Sequence, residues 1–176
     1  VLQWREQRPD IIYIFSKDIL RHRRAQKEDA VWLKKGEEYK DETLSVRAFG
    51  STDVGVSFLL QASGKKIFHA GDLNNWHWMD ESTEAEWKGA EKNFLHELDD
   101  LYAYTPEVDV AMFPVDPRLG KEYMRGAGQF VTKIKTHIFV PMHFTPEYAK
   151  ANAFRDFAEA HGVRFVSLTH RGQKIE

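Results

Sequence analysis

Cysteine is absent from the 176 residues, which excludes a disulfide framework, a thiolate nucleophile and any thiolate-bound metal. Long apolar runs are absent too: none approaches the ~20 residues of a membrane-crossing helix, so no membrane partner is expected. Nor does charge of one sign dominate. Twenty-five Lys and Arg stand against 27 Asp and Glu, a formal net charge of −2. No global field therefore draws the chain to nucleic acid or to an acidic membrane surface, and no nucleic-acid partner is expected. No targeting segment is recognisable at the start, and a cytoplasmic protein is expected. What is present is ordinary for a soluble globular chain, at 42% hydrophobic and 30% charged residues, and fits a single domain over residues 1–176. Eight His and the acidic residues are the only metal-binding vocabulary. Aromatics reach 13%, with five Trp, enough for a dense core or an aromatic-lined cleft.

The pattern along the chain alternates between strand and helix signals. The opening Val1–Gln7 reads as the end of an amphipathic helix. Ile11–Phe15 is a short β-branched and aromatic run, expected as a buried strand. A short helix from a Ser16 cap to Arg24 follows, with the basic run Arg21–Arg24 as its solvated end. Strands are expected over Ala30–Leu33, Leu44–Phe49, Val54–Leu60 and Lys66–Ala70, the last two joined by a turn at Ala62–Lys65. Thr83 and Glu86 form a capping box for a helix reaching about Tyr104, with Trp87, Ala90, Phe94, Leu98 and Leu101 along one face. Beyond it come strand Val108–Phe113, helix Tyr123–Lys135, strand His137–Met142, helix Pro146–His161 and strand Val163–Leu168. The fold class is α/β, hairpin-rich first and βαβ-like afterwards.

In such sheets chemistry gathers past the carboxyl ends of strands. Three of those ends carry Asp72, Asp116 and His143, oxygen and nitrogen donors that suit zinc, iron or manganese. The same residues also suit plainer roles: Asp72 capping a turn, Asp116 paired with Arg118, His143 satisfied near a helix start. Asn74–Trp78 sets His77 between Trp76 and Trp78 just after Asp72. That loop reads equally as a pocket wall with His77 as a proton or hydrogen-bond donor, or as a packed surface loop. No Gly-rich phosphate loop and no Gly-x-Ser-x-Gly elbow is present.

Lys66-Ile67-Phe68-His69-Ala70-Gly71-Asp72 resembles the strand and Gly-Asp of the metallo-β-lactamase superfamily, and Val140-Pro141-Met142-His143-Phe144 resembles its last ligand histidine at a strand end. Gly50–Phe58 is similar to the segment that carries a further ligand histidine in many members. Phe113–Leu119 is similar to a Phe-Pro-Val-Asp-Pro-Arg-Leu stretch of small lactonase-like hydrolases. The resemblance implies an αββα sandwich, incomplete at its N-terminus. It implies that Asp72 bridges two metals and that His143 closes the second. Ser51 stands where the middle histidine would be, leaving Asp53 or His69 as substitutes. The family motif His-x-His-x-Asp-His occurs nowhere in this sequence and would fall just upstream of Val1.

Two functions follow as expectations. One is a metal-dependent hydrolase, with zinc or manganese, two ions in the complete protein, activating water against a small ester, lactone or phosphoester. There Asp72, His143 and Asp53 would bind metal, Asp72 and His77 would serve catalysis, and Trp76, Trp78, Asp116 and Arg118 would contact the small-molecule substrate. The other is a non-catalytic fragment or binding module with an incomplete metal site. In either case the partner expected is an N-terminal segment of the same polypeptide. Without it, an open sheet edge would let copies of the chain associate as a homo-oligomer.

Overall fold

The structure is a computed structural model and describes residues 6–22 and 26–175. Of the sequence features above, Val1–Arg5 of the opening helix and Arg23 and Arg24 of the basic run lie outside the described residues. Strands β1 (Ile14–Ser16) and β2 (Val31–Leu33) pair in parallel as a two-stranded ribbon. The main sheet has seven strands in spatial order: β3 (Glu38–Lys40), β4 (Leu44–Phe49), β5 (Ser57–Ala62), β6 (Lys65–His69), β7 (Glu107–Pro114), β8 (Lys135–Met142) and β9 (Arg164–Phe165). Neighbours from β3 to β6 are antiparallel and those from β6 to β9 parallel. The helices are α1 (Glu84–Tyr104), α2 (Arg125–Lys133), α3 (Tyr148–Asn152) and α4 (Arg155–Ala160).

Strand alternation sorts the apolar residues into two rows. Across β5 to β8 the register aligns Leu59, Phe68, Ala111 and Phe139 on one face. With Phe94, Leu98 and Leu101 of α1 and Ala127 and Phe130 of α2 they form the main core. The other face aligns Val46, Leu60, Ile67, Val110 and Ile138. There Val46 and Ala48 join Leu33 of β2 in a second cluster, with Ile14, Tyr39, Phe58 and Leu60 packed beside it. The ribbon thus lies against this face at β3–β5, β layer on β layer.

Local signals explain most elements. Thr83 Oγ1 accepts from the Glu86 amide, and Glu86 Oε2 accepts from the Thr83 amide at 2.8 Å, closing the capping box that starts α1. The β5–β6 hairpin turns on Ser63 and Gly64, both at positive φ (50° and 73°), the twist a two-residue hairpin prefers.

Several expected elements differ. The run Ile11–Phe15 yields strand only over Ile14–Ser16, because its one partner, β2, pairs for three residues. The segment after it is a 3₁₀ helix, Lys17–His22. The long helix expected over Pro146–His161 is two short ones, α3 and α4, with Phe154 between them 1% exposed in the core. The last strand shrinks to Arg164–Phe165, and β3 carried no strong sequence signal.

Candidate metal and substrate site

Because β6, β7 and β8 run parallel side by side, their carboxyl ends fall at one edge of the sheet. Backbone pairing continues slightly past them: the Ala70 amide donates to Met112 O at 2.9 Å and the Val115 amide to Met142 O at 3.0 Å. Asp72, Asp116 and His143 follow directly. Gly71 makes the turn into Asp72 at φ 58°, where a Cβ would sit 2.9 Å from Val56 O, so only glycine fits. The Trp76 indole donates to Asp72 O at 2.8 Å and pins this turn. His143 has φ 64°, a left-handed conformation that costs a non-glycine residue about 1 kcal/mol or more.

The three side chains meet. His143 Nε2 lies 3.3 Å from Asp72 Oδ1, and its Nδ1 lies 2.8 Å from Asp116 Oδ2. Asp116 is fully buried. Burial alone would push its pKa up, but hydrogen bonds from the Arg118 side chain and amide and from His143 outweigh it and hold the carboxyl below its usual value. An ionised carboxylate only accepts, so the Nδ1 facing it carries the proton. With the proton on Nδ1, the contact between Nε2 and the Asp72 carboxylate is bridged by a second proton or by a metal cation. Two donors bound about 2.1 Å from one metal ion, at roughly 90–110° to each other, stand about 3.0–3.4 Å apart. The Asp72–His143 pair has that spacing, and its two side chains are 36% and 32% exposed. Among the described residues no group of three or more His, Asp or Glu is arranged to hold a metal. The pair therefore fits a metal as two of its ligands and falls short of a whole site.

Around the pair, the Trp76 ring meets the His143 ring edge-on at 5.3 Å and stacks with Trp78 at 6.4 Å. Arg118 Nη2 lies 3.4 Å from His143 Nδ1. Asp53 is exposed on the 51–55 loop, near enough to raise the pKa of Arg118, but makes no ion pair with His143. His69 turns its Nδ1 to the Gly71 amide at 3.1 Å, and desolvation lowers its pKa against the charge of Asp72.

His77 is placed differently from the sequence expectation of a catalytic donor. It is 1% exposed; its Nδ1 accepts from the Met79 amide at 3.1 Å, so Nε2 carries the proton and faces Glu122 O at 3.2 Å. Both ring nitrogens are committed to backbone, which leaves none for a substrate. Asp116, expected at a substrate surface, is likewise sealed beneath Arg118 and His143.

Sequence reasoning missed a brace beneath this loop. Glu91 Oε1 accepts from Asn75 (3.3 Å), Gln129 (2.5 Å) and Arg125 (2.7 Å), tying the loop to α1 and α2. The signal was a carboxylate three residues before Phe94, on the apolar stripe of α1. Gly126 lets α2 approach closely, since a Cβ there would lie 2.0 Å from Asn74 Oδ1. An apolar groove of about 590 Å³, walled by Leu95, Met124, Phe154 and Phe157, lies on the helix layer rather than at the strand ends.

No protein-family model matches the chain, and no curated protein does either. Solved structures do. A Parabacteroides distasonis protein assigned as a metal-dependent hydrolase superposes with a TM-score of 0.61 at 15% identity, covering 89% of this chain and 64% of that one. Igni18, a metallo hydrolase of Ignicoccus hospitalis, gives 0.61 at 14%, covering 95% and 69%. The metallo-β-lactamase fold protein YhfI of Bacillus subtilis gives 0.53 at 9%, covering 85% and 59%. At such identities the likeness is one of fold, and the fold is that of the metallo-β-lactamase-fold metal-dependent hydrolases. The chain spans less than two thirds of the first of these structures.

Proposed function

We propose that the chain carries the second part of a metal-dependent hydrolase acting on a small ester, lactone or phosphoester. The observation behind the reading is the Asp72–His143 pair, 3.3 Å apart at aligned strand ends, with a buried carboxylate on the far nitrogen of the imidazole. A divalent ion bound there, zinc or manganese, would supply Lewis acidity and would lower the pKa of water toward about 7. Asp72 and His143 would hold it. Asp116 fixes the His143 tautomer and ring direction, as carboxylates behind ligand histidines do. Trp76 limits the rotation of His143 and keeps bulk water from one side. Asp53 is kept as a further ligand that a shift of the 51–55 loop would bring in. The remaining nitrogen ligands, and cover for the second sheet face over β6–β8, would come from an upstream segment of the same polypeptide.

A second reading, a binding module with a partial metal site, draws on one observation: no group of three ligands is arranged among the described residues. Zinc titration by calorimetry separates the two. The hydrolase reading expects about one or two zinc ions per full-length chain, lost in Asp72→Asn and in His143→Ala. Full-length protein that takes up no zinc, or takes it up equally well in both variants, refutes it.

A further inference from the structure

Arg118 is exposed yet held in one orientation. Its side chain is 56% accessible while its partner Asp116 is 0%. Nε lies 3.0 Å from both oxygens of Asp116, Nη2 lies 2.5 Å from Oδ2, and the Arg118 amide donates to Oδ1 at 3.0 Å. Pro117 opens the 3₁₀ turn that carries the residue, with Asp116 as its cap. One edge of the guanidinium fork is thus consumed. Nη1 has no hydrogen-bond partner among the described residues, and the group stands beside His143 at the mouth of the site. An arginine fixed through one edge loses little side-chain freedom when its other edge meets a ligand, and planar N–H donors suit a carboxylate or phosphate.

We propose that Arg118 is the anion-recognition residue of this site and that the substrate carries an oxoanion beside the bond that is cleaved. The proposal rests on the hydrolase reading only for the position of that bond, next to Asp72 and His143. The carboxylates near Arg118 set its conditions. Asp116 neutralises one edge and Asp72 and Asp53 add negative charge nearby, so the anion binds best once a cation at Asp72 offsets them. The indole of Trp76, 5.3 Å from the His143 ring, would border the bound group and report its arrival.

The test uses the full-length protein, metal-free and zinc-loaded, titrated with inorganic phosphate and separately with acetate. Tryptophan fluorescence and calorimetry are read together. One saturable phosphate or acetate site is expected in the zinc-loaded protein, and whichever oxoanion binds more tightly identifies the substrate group as phosphate or carboxylate. Arg118→Gln should weaken the preferred oxoanion about tenfold or more, the worth of one charge-assisted hydrogen-bond pair. Arg118→Lys, which keeps the charge and loses the fork, should fall between, and both variants are first shown folded by near-ultraviolet circular dichroism. Lys65→Gln, at the opposite end of β6, should bind like wild type. Equal oxoanion affinity in wild type and Arg118→Gln, or no saturable site in either form of the wild type, overturns the proposal. Zinc uptake is read in the same titrations, so a failure of the metal reading appears as absent zinc binding and leaves the Arg118 comparison to be decided in the metal-free protein.

Discussion

On the helix side of the sheet, Leu59, Phe68, Ala111 and Phe139 are at most 1% exposed; on the other side their neighbours Leu60, Ile67, Val110 and Ile138 are only half-buried. Both rows are wholly apolar, one part aromatic and the other aliphatic, so the difference in burial is one of cover. Helices α1, α2 and α4 seal the first row, while the second is met over β3–β5 by the β1–β2 ribbon. A sheet that is apolar on both faces belongs between two layers, as in the sandwich whose fold this chain shares. The carboxyl edge common to both faces carries Asp72 and His143, so a second layer would also complete the surroundings of the site.

Breaking the sealed face should cost most. Phe113 is fully buried against Phe130 at 4.6 Å, Phe94 at 6.2 Å and Phe139 at 6.3 Å. Phe113→Ala should lower the unfolding free energy by about 3–5 kcal/mol, read from urea unfolding at unchanged m-value. A loss near 1 kcal/mol would mean that the helix layer is far looser than its packing implies.

At the shared edge the effect is smaller and chemical. Asp116→Asn keeps the shape but removes the charge that fixes the His143 tautomer. On the proposed metal reading zinc affinity should fall about 10–100-fold, and nitrogen-15 chemical shifts of His143 should report a redistributed proton. An unaltered tautomer with unaltered affinity would reduce Asp116 to a partner of Arg118.

The half-buried face should yield least in its core positions. Ile67→Ala should cost about 1 kcal/mol, roughly half of what a fully buried aliphatic side chain contributes. A partner layer that covered this face should raise that cost toward the sealed-face value. A cost of about 3 kcal/mol in this chain alone would show that the second face is already closed.

Much of this contrast was readable from the sequence, for physical reasons. Strands β4 to β8 announce themselves through β-branched and aromatic residues bounded by turn signals, and α1 because its cap and its stripe agree. The three strand ends that carry Asp72, Asp116 and His143 follow from those boundaries. Legibility failed where a partner distant in sequence decides the outcome. His77 looks like a pocket residue beside two indoles, but the carbonyl of Glu122, 45 residues on, claims its Nε2. Asp116 reads as a substrate contact or as the partner of Arg118; the pairing is found, but Arg118 and His143 close over the carboxylate and leave it fully buried. The helix expected over Pro146–His161 divides at Ala153 and Phe154, which keep helical dihedrals while the Phe154 amide donates to Ala151 O, three residues back, at 3.3 Å, a local tightening that helix periodicity cannot express.

The edge strand β3 offers the mildest test, one that loosens the second face alone. Its Tyr39 packs beside the Val46 cluster, and the turn after it is held by Asp41. One oxygen of Asp41 accepts from the Thr43 amide and hydroxyl, both at 2.7 Å, and from the Leu44 amide at 3.0 Å; the other accepts from Tyr39 Oη at 3.0 Å. These bonds, led by the Thr43 amide, lower the Asp41 pKa from 3.8 to about 2. A carboxylate with a depressed folded-state pKa stabilises above its unfolded value and loses that contribution as pH falls through the folded one. Wild type should therefore exceed Asp41→Asn in melting temperature at pH 5, and the gap should close between about pH 4 and pH 2. Hydrogen exchange should quicken at Val46 and Ala48 in the variant and stay unchanged at Phe68 and Phe139. Equal quickening on both faces would mean that the sheet opens as one unit, and the contrast between its faces would then be one of burial without independent stability.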